Sequence, residues 1–413
     1  MLKSASIGIL SKLISAFCGF YVMLLLTWYL SISDRGTCAF YLVIITINLA
    51  VCEVIAGASI GLLLKNYLVR NIKKVSYSWS AAISLMIPAA FYLFSRVNIT
   101  EFYYLAIICF LNAGITTHQN ILLGQNKLNT YYITQTAQPV LTVLFTYLFF
   151  SAADNAAGEQ FLKALLFSWC LVFAGSAFVA RQIHLVEDKL KTRALIKAGM
   201  SLGFRNQLGH LAGILNNRLI YLLIPATALG VFANAISIAE AMLIVPTILG
   251  QIIYSGLLNN RAHINEASVV TIQWLSIISL LAGTLVLAVL PDRFYVFIFR
   301  KELPLFKDYA VTLGLGLSFY AGFLIFSYWQ SGFSRFILNF YALCTGLIFN
   351  ILVSLFLLAF NRYDVLTGVR VLSMSFLVVY ITSILQFLHT ENTSFRVLLS
   401  HLSLKKAIKT LLK

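Results

Sequence analysis

Long apolar runs alternate with short polar breaks along the chain from Ile7 to Leu388. A helix needs about 20 apolar residues to cross the hydrocarbon core of a bilayer, and runs of that length recur about a dozen times. Backbone amides in lipid must hydrogen-bond within their own segment, so helices are the expected element. The pattern predicts an all-α integral membrane protein with about twelve transmembrane helices.

The predicted spans are separated by turn or charge punctuation, such as Ser33–Gly36 and Pro291–Arg293. They are roughly 7–30, 37–64, 77–95, 102–123, 132–152, 161–181, 206–229, 232–258, 269–290, 309–329, 336–360 and 366–388.

Lysine and arginine set the predicted orientation, because short cytoplasmic loops hold the excess of positive charge. Of the 30 basic residues, twenty fall at one end of the spans and nine at the other, while Arg218 falls inside a span. Both termini are therefore predicted to be cytoplasmic.

The formal charge of +16 does not indicate nucleic-acid binding. Basic loops beside spans are the ordinary topology signal, and they attract anionic lipid. The segment 391–413 is predicted to form a basic amphipathic helix on the inner leaflet. The first span is too long for a cleavable signal peptide and lacks a small-residue cleavage site.

The remaining composition argues against an enzyme. Most of the six cysteines lie in apolar spans without metal-site spacing, so they are predicted to be small core residues, and no metal site or disulfide framework is implied. The sequence contains no catalytic motif and no P-loop, so we expect no ATP hydrolysis by the chain itself.

The longest predicted cytoplasmic break, 182–205, divides the spans into two sets of six. We therefore predict an N-terminal lobe (1–181), a linker (182–205) and a C-terminal lobe (206–390), followed by the basic tail. An even number of spans per half makes any internal repeat parallel.

Arg218 is the most informative candidate site residue. It lies about twelve residues into its predicted span, or ~18 Å at 1.5 Å per residue, which is near the midplane. One interpretation is an arginine bonded to carbonyls or a carboxylate between helices; the other is an arginine that binds an anion such as phosphate in a cavity. Lys12, one turn inside the first span, either extends to the cytoplasmic surface or belongs to the same cavity.

Two carboxylates lie in corresponding spans of the two halves, Glu53 in the second and Glu240 in the eighth. Ionisable groups within spans are costly, roughly 2.5–3.5 kcal/mol each on insertion scales, and usually face a bundle interior. Each carboxylate is a candidate for coupling to a proton or sodium ion, and equally a candidate partner for Arg218 or Lys12.

Two histidines complete the candidate set. His210 lies two turns before Arg218 on the same helix face. His118 forms a polar belt with Gln119 and Asn120. This belt either contacts sugar hydroxyls or makes a buried hydrogen bond between helices.

Four stretches resemble a known family. Residues 216–254 resemble the seventh and eighth spans of bacterial polysaccharide exporters, with a polar pair before an apolar run and then a G-x-aromatic-x-x-A turn from Gly230 to Ala235. Residues 294–317 resemble the short helix and loop before their tenth span. Gln330-Ser331-Gly332 and the asparagine-bearing span 338–358 also fit. The chain thus resembles the O-antigen (Wzx-type) flippases of the multidrug/oligosaccharidyl-lipid/polysaccharide (MOP) exporter superfamily.

The resemblance implies two six-helix lobes around a central cavity and transport by alternating access. The implied substrate is an undecaprenyl-pyrophosphate-linked oligosaccharide, moved from the cytoplasmic to the periplasmic leaflet of the bacterial inner membrane. Arg218 and Lys12 would hold the pyrophosphate, with His210, His118 and Asn217 in the same cavity. Many relatives carry an acidic residue where this chain has Asn217, so ion coupling must use other groups or be absent.

The resemblance also implies a monomer without a cofactor, apart from a proton or sodium gradient. Its implied partners are membrane lipids, a polysaccharide polymerase and a chain-length regulator, and not nucleic acid. Two alternatives remain. A cation-coupled multidrug antiporter of the same superfamily should place carboxylates in its cavity, whereas this chain places Arg218 there. A membrane polysaccharide polymerase usually needs a large external loop, and the external segments here are short.

Overall fold

The computed structural model describes residues 2–57, 60, 64, 69–94, 96–125, 127–153, 157–181, 192–258, 266–333 and 335–391 of the 413-residue chain. These residues form helices and turns and contain no strand. The prediction of an all-α protein is confirmed. Part of the predicted linker (182–191) and the tail from residue 392 onward lie outside the described residues.

The chain divides into two compact units, Met1–Leu211 and Ala212–Lys413. The helices of the first unit are α1 (Leu2–Tyr29), α2 (Ile32–Ala56), α3 (Val69–Leu93), α4 (Ile99–Gly124), α5 (Leu128–Ser151) and α6 (Gly158–Arg181). Helix α7 (Thr192–Leu223) contains the boundary between the units. The helices after it are the 3₁₀ turn Ala226–Leu229, α8 (Gly230–Ala241), α9 (Ile244–Leu258), α10 (Glu266–Val289), α11 (Asp292–Phe299), α12 (Phe306–Gly332), α13 (Phe336–Ala359) and α14 (Val365–Thr390).

Ten segments of the described chain are long and apolar enough to cross a membrane, and α8 with the first part of α9 counts as one of them. Helices α3 and α7 have the length but are more polar, because α3 is rich in serine and α7 carries Asn216, Asn217 and Arg218. With these two, each half supplies six spans. The protein is therefore a multi-pass membrane protein with the predicted number of spans.

Helix packing follows the same order in the two units. In the first unit α4, the fourth span, packs against α2, α3, α5 and α6. In the second unit the fourth span is α12, and it packs against α8, α9, α10, α13 and α14. In each unit the fifth span also packs against the sixth. This shared pattern is what the predicted parallel repeat would produce.

The predicted limits of the second and third spans were wrong. Helix α2 ends at Ala56, eight residues before the predicted limit, and the Gly57 N–H donates to the Glu53 carbonyl at 2.9 Å. Helix α3 begins at Val69 rather than 77 because its first turns are basic and were assigned to a loop. One of these basic side chains, Lys73, donates to the Ala180 carbonyl at the end of α6 (3.2 Å).

The seventh and eighth spans also differ from the prediction. Helix α7 begins at Thr192, within the predicted linker, and ends at Leu223, six residues before the predicted limit of 229. The eighth span is two helices, interrupted at Met242 and Leu243. Pro246 explains the interruption, because proline has no N–H and its ring clashes with the carbonyl four residues earlier.

Candidate functional site

Arg218, near the end of α7, forms an ion pair with Glu240, near the end of α8. Arg218 Nη2 donates to Glu240 Oε2 at 3.0 Å, and the two side chains are 22% and 31% exposed. The pair links the two arms of the hairpin that turns at Pro225. Both partners therefore combine a direct bond with a partly exposed side chain.

The ion pair agrees with one of the two interpretations of Arg218, that of an arginine bonded to a carboxylate between helices. Arg218 also lies five residues before the end of α7, or ~8 Å at 1.5 Å per residue. The predicted ~18 Å was counted from a span that begins at 206. Because the helix begins at Thr192 and ends at Leu223, Arg218 lies near its last turn and not at its middle.

A buried network of amides and hydroxyls lies beside the ion pair and joins α7, α13 and α14. The Asn216 amide donates to Ser375 Oγ at 3.0 Å. The Asn350 amide donates to both oxygens of Asn216, the carbonyl at 3.1 Å and Oδ1 at 3.0 Å. Ser354 Oγ donates to Asn350 Oδ1 at 3.2 Å. Because Asn350 holds the α7 backbone two residues before Arg218, the network fixes how α7 presents the guanidinium.

Asn350 is a site residue that sequence reasoning did not single out. The available signal was Asn350, followed four residues later by Ser354, in the apolar second half of the helix. Such a pair on one helix face indicates an interhelical hydrogen bond, but it does not identify the partner on α7.

Asn217 is half-buried, and its side-chain oxygen is enclosed without a hydrogen bond from the described residues. Asn217 is adjacent to Arg218 on α7, and Arg218 is paired with Glu240. The structure thus brings together three of the predicted site residues in the second unit.

His118 lies in the core of the first unit with no exposed surface. Its Nδ1 is 2.8 Å from Ser176 Oγ on α6, and its Nε2 is hydrogen-bonded to the Tyr77 hydroxyl on α3. Both ring nitrogens therefore have protein partners. This arrangement favours the buried hydrogen bond between helices over contact with sugar.

The other candidates are distributed over separate elements. Lys12 is half-buried on α1, next to Ser11, whose hydroxyl is 2.6 Å from that of Thr136 on α5. Glu53 is half-buried in the last turn of α2, beside the Gln207 amide of α7. His210 is exposed on α7, eight residues before Arg218. Among the described residues, no group of three or more His, Cys, Asp or Glu side chains is placed to hold a metal ion.

No protein-family model and no curated protein sequence matches the chain. Solved structures do match it in fold. The chain is similar to the lipid II flippase MurJ in an inward closed conformation, with a TM-score of 0.72, 11% identity, and coverage of 98% of this chain and 90% of the other.

Two multidrug transporters are similar as well. The multidrug and toxin extrusion (MATE) transporter DinF-BH gives a TM-score of 0.67 at 14% identity, with 95% of each chain covered. An inward-facing MATE transporter of the MOP superfamily gives 0.61 at 12% identity, with 94% of this chain and 98% of the other covered. The fold is therefore that of the MOP-superfamily transporters.

Proposed function

We propose that the protein is a transporter that flips an undecaprenyl-pyrophosphate-linked oligosaccharide from the cytoplasmic to the periplasmic leaflet. The observation that carries this proposal is Arg218, a partly exposed arginine within the membrane-spanning part of a MOP-type fold. A guanidinium binds phosphate through paired N–H donors. The likeness to MurJ supports a lipid-linked substrate.

In this proposal the substrate anion competes with Glu240 for the Arg218 guanidinium. The bond to Glu240 uses one of the five N–H donors of Arg218, and a pyrophosphate oxygen can replace the carboxylate there. The carboxylate released by this exchange lies in the last turn of α8, where the helix dipole disfavours negative charge. We therefore propose that Glu240 takes up a proton or sodium ion when the substrate binds. Glu53 is the second candidate for this coupling role.

The second candidate function is a cation-coupled multidrug antiporter. The specific observation in its favour is Glu53, a half-buried carboxylate within a helix of the first unit, together with the likeness to DinF-BH. In that case a cationic substrate would pair with Glu53, and the Arg218–Glu240 pair would stabilise the α7–α8 hairpin without contacting substrate.

The test is flipping of a fluorescent undecaprenyl-pyrophosphate oligosaccharide in reconstituted vesicles. We expect Arg218→Ala to slow flipping roughly tenfold or more, since hydrogen bonds to charged groups contribute about 1.5–3 kcal/mol. Arg335→Ala is the matched control, because it breaks the other Arg–Glu pair among the described residues, Arg335–Glu391 at 2.7 Å, without touching the proposed site.

The outcomes separate the alternatives. Equal flipping by wild type and Arg218→Ala would remove Arg218 from the mechanism. Absence of flipping by the wild type, together with efflux of a cationic dye that Glu53→Gln abolishes, would assign the antiporter function instead.

A further inference from the structure

We propose that the short helix α11 is a binding site for anionic phospholipid, where the phosphate groups contact Arg293 and Arg300 and Phe297 enters the bilayer between them. This inference is independent of the transported substrate. It rests on the exposed face of α11, on the helix that precedes it and on the aromatic contacts that hold it in place.

The exposed side of α11 combines one large apolar side chain with an arginine, and a second arginine follows the helix. Arg293 and Phe297 are four residues apart and lie on one helix face, and the exposed Arg300 directly follows the last helical residue. Phe297 is 81% exposed, which is the largest exposed fraction among the big apolar side chains of the described chain. A solvated helix would rarely present a phenylalanine in this way, whereas a helix at a membrane surface does so with basic residues beside it.

The opposite face attaches α11 firmly to the rest of the unit. Tyr295 and Phe299 are buried, and the rings of both lie 5.0 Å from the ring of Phe306 at the start of α12. The helix ends at Arg300, whose backbone has a positive φ of 55°. The position of Phe297 is therefore fixed by packing on α12.

The surface of α10 leads directly to this site. Its last two turns expose Leu285, Val286 and Val289, at 64%, 58% and 74%. In a spanning helix such a strip contacts lipid tails. Because only Leu290 and Pro291 separate α10 from α11, α11 begins where this lipid-facing strip ends, at the level where the chain leaves the membrane.

The charges around α11 identify the lipid class. Arg293, Arg300 and the half-buried Lys301 surround the exposed face, and Lys307 donates to the Leu290 carbonyl at 3.1 Å. Guanidinium groups bind the phosphate oxygens of a phospholipid by charge-assisted hydrogen bonds. Residues 292–308 also carry three carboxylates, Asp292, Glu302 and Asp308, against four basic side chains, so their net charge is +1. An anionic lipid such as phosphatidylglycerol gains from this charge, whereas a zwitterionic lipid gains less.

The position of α11 can be measured with a spin label in a variant whose cysteines are replaced. Labels at Phe297→Cys, at Leu285→Cys and at Glu302→Cys report the proposed site, the lipid-facing strip and the exposed loop. In phosphatidylglycerol vesicles we expect the label at 297 to be accessible to oxygen but shielded from a water-soluble nickel reagent. Accessibility to nickel equal to that at 302 would overturn the proposal.

The arginines are tested in the chain with its natural cysteines by counting bound phosphatidylglycerol with native mass spectrometry. We expect Arg293→Gln and Arg300→Gln each to reduce lipid retention roughly fivefold, the effect of one basic residue at an anionic surface. Arg362→Gln, an exposed arginine in the α13–α14 turn, is the matched control. Equal retention by all three variants would show that Arg293 and Arg300 do not bind the lipid.

Discussion

Helix α14 begins at Asp364, whose side chain determines where the last span starts. The Thr367 N–H donates to Asp364 Oδ1 at 2.7 Å, which satisfies one of the amides that every helix N-terminus leaves without a helical partner. Hydrogen bonds from Thr367 lower the pKa of the Asp364 carboxyl below its ordinary value. The folded protein therefore stabilises the charged form of the Asp364 carboxyl.

Replacement of this cap should destabilise the protein in a pH-dependent way. We expect Asp364→Ala to cost about 1 kcal/mol at neutral pH. Because the folded-state pKa is lowered, this contribution is present above the ordinary carboxylate pKa and is lost as the pH falls through the folded-state value. Thermal unfolding in detergent at several pH values measures the difference between variant and wild type. Asp292→Ala, in the first turn of α11 but without a cap bond, should show a smaller loss, and an equal loss would contradict the assignment.

Arg218 and His118 show which features of the site the sequence predicts and which it does not. Arg218 was identified because a charge within an apolar run is conspicuous. The sequence does not identify Glu240 as its partner, because the pairing depends on the turn at Pro225 and hydropathy does not specify turn geometry. His118 bonds to Tyr77 and Ser176, which lie 41 and 58 residues away. Its burial is therefore a result of three-helix packing that no local pattern encodes.

Close helix packing in the second unit depends on glycine in α12. A Cβ at Gly316 would lie 2.6 Å from the Cα of Ser373 on α14, so the two backbones meet where only a residue without a side chain fits. The neighbouring Ser373 hydroxyl donates to the Thr312 carbonyl of α12 at 2.8 Å. This contact holds α12 and α14 at one fixed separation.

We expect Gly316→Ala to destabilise the protein by roughly 1–3 kcal/mol, the usual cost of overpacking. Gly175→Ala is the matched control, because a Cβ at Gly175 on α6 meets nothing within 4 Å. That substitution should be neutral or stabilising by up to about 1 kcal/mol, since alanine favours helix more than glycine does. Thermal unfolding of both variants measures the difference, and equal midpoints would contradict the close contact.

Hydropathy predicts helix limits well where polar residues lie between two helices and poorly where they lie inside one, as in the basic first turns of α3 and α7. The tenth span, predicted from 309 to 329, is α12 with only three residues added at each end. The interruption between α8 and α9 was missed because no polar residue lies between Ala241 and Val245. Hydropathy responds to the loss of apolar side chains, whereas this break results from the hydrogen bond that Pro246 cannot make.

For the whole molecule, the distribution of basic residues predicts which loops face which side of the membrane. We expect Glu302→Cys to react with a membrane-impermeant thiol reagent in intact cells. Lys127→Cys, also exposed, should react only after the membrane is opened. The wild type controls for its natural cysteines, and the reverse pattern would show that the basic loops face outward.

The pairing of helices within the first unit could not be predicted from chain order. Consecutive spans often pack together, but α1 packs mainly against α5 and has few contacts with α2. The Ser11 hydroxyl of α1 is bonded to Thr136, 125 residues later. Hydropathy defines the spans one at a time and carries no information about such distant pairs.

The pairing of α1 with α5 sets an order of events during synthesis. When α1 enters the membrane, the residues that will pack against it have not yet been translated. At about 5–20 residues per second, the ribosome needs roughly 6–25 s to add the 125 residues between Ser11 and Thr136. During that interval α1 must remain in lipid beside α2, α3 and α4 without its native neighbour. Helix α1 is therefore the first helix of the unit to be made, but it can dock only after α5 has been made.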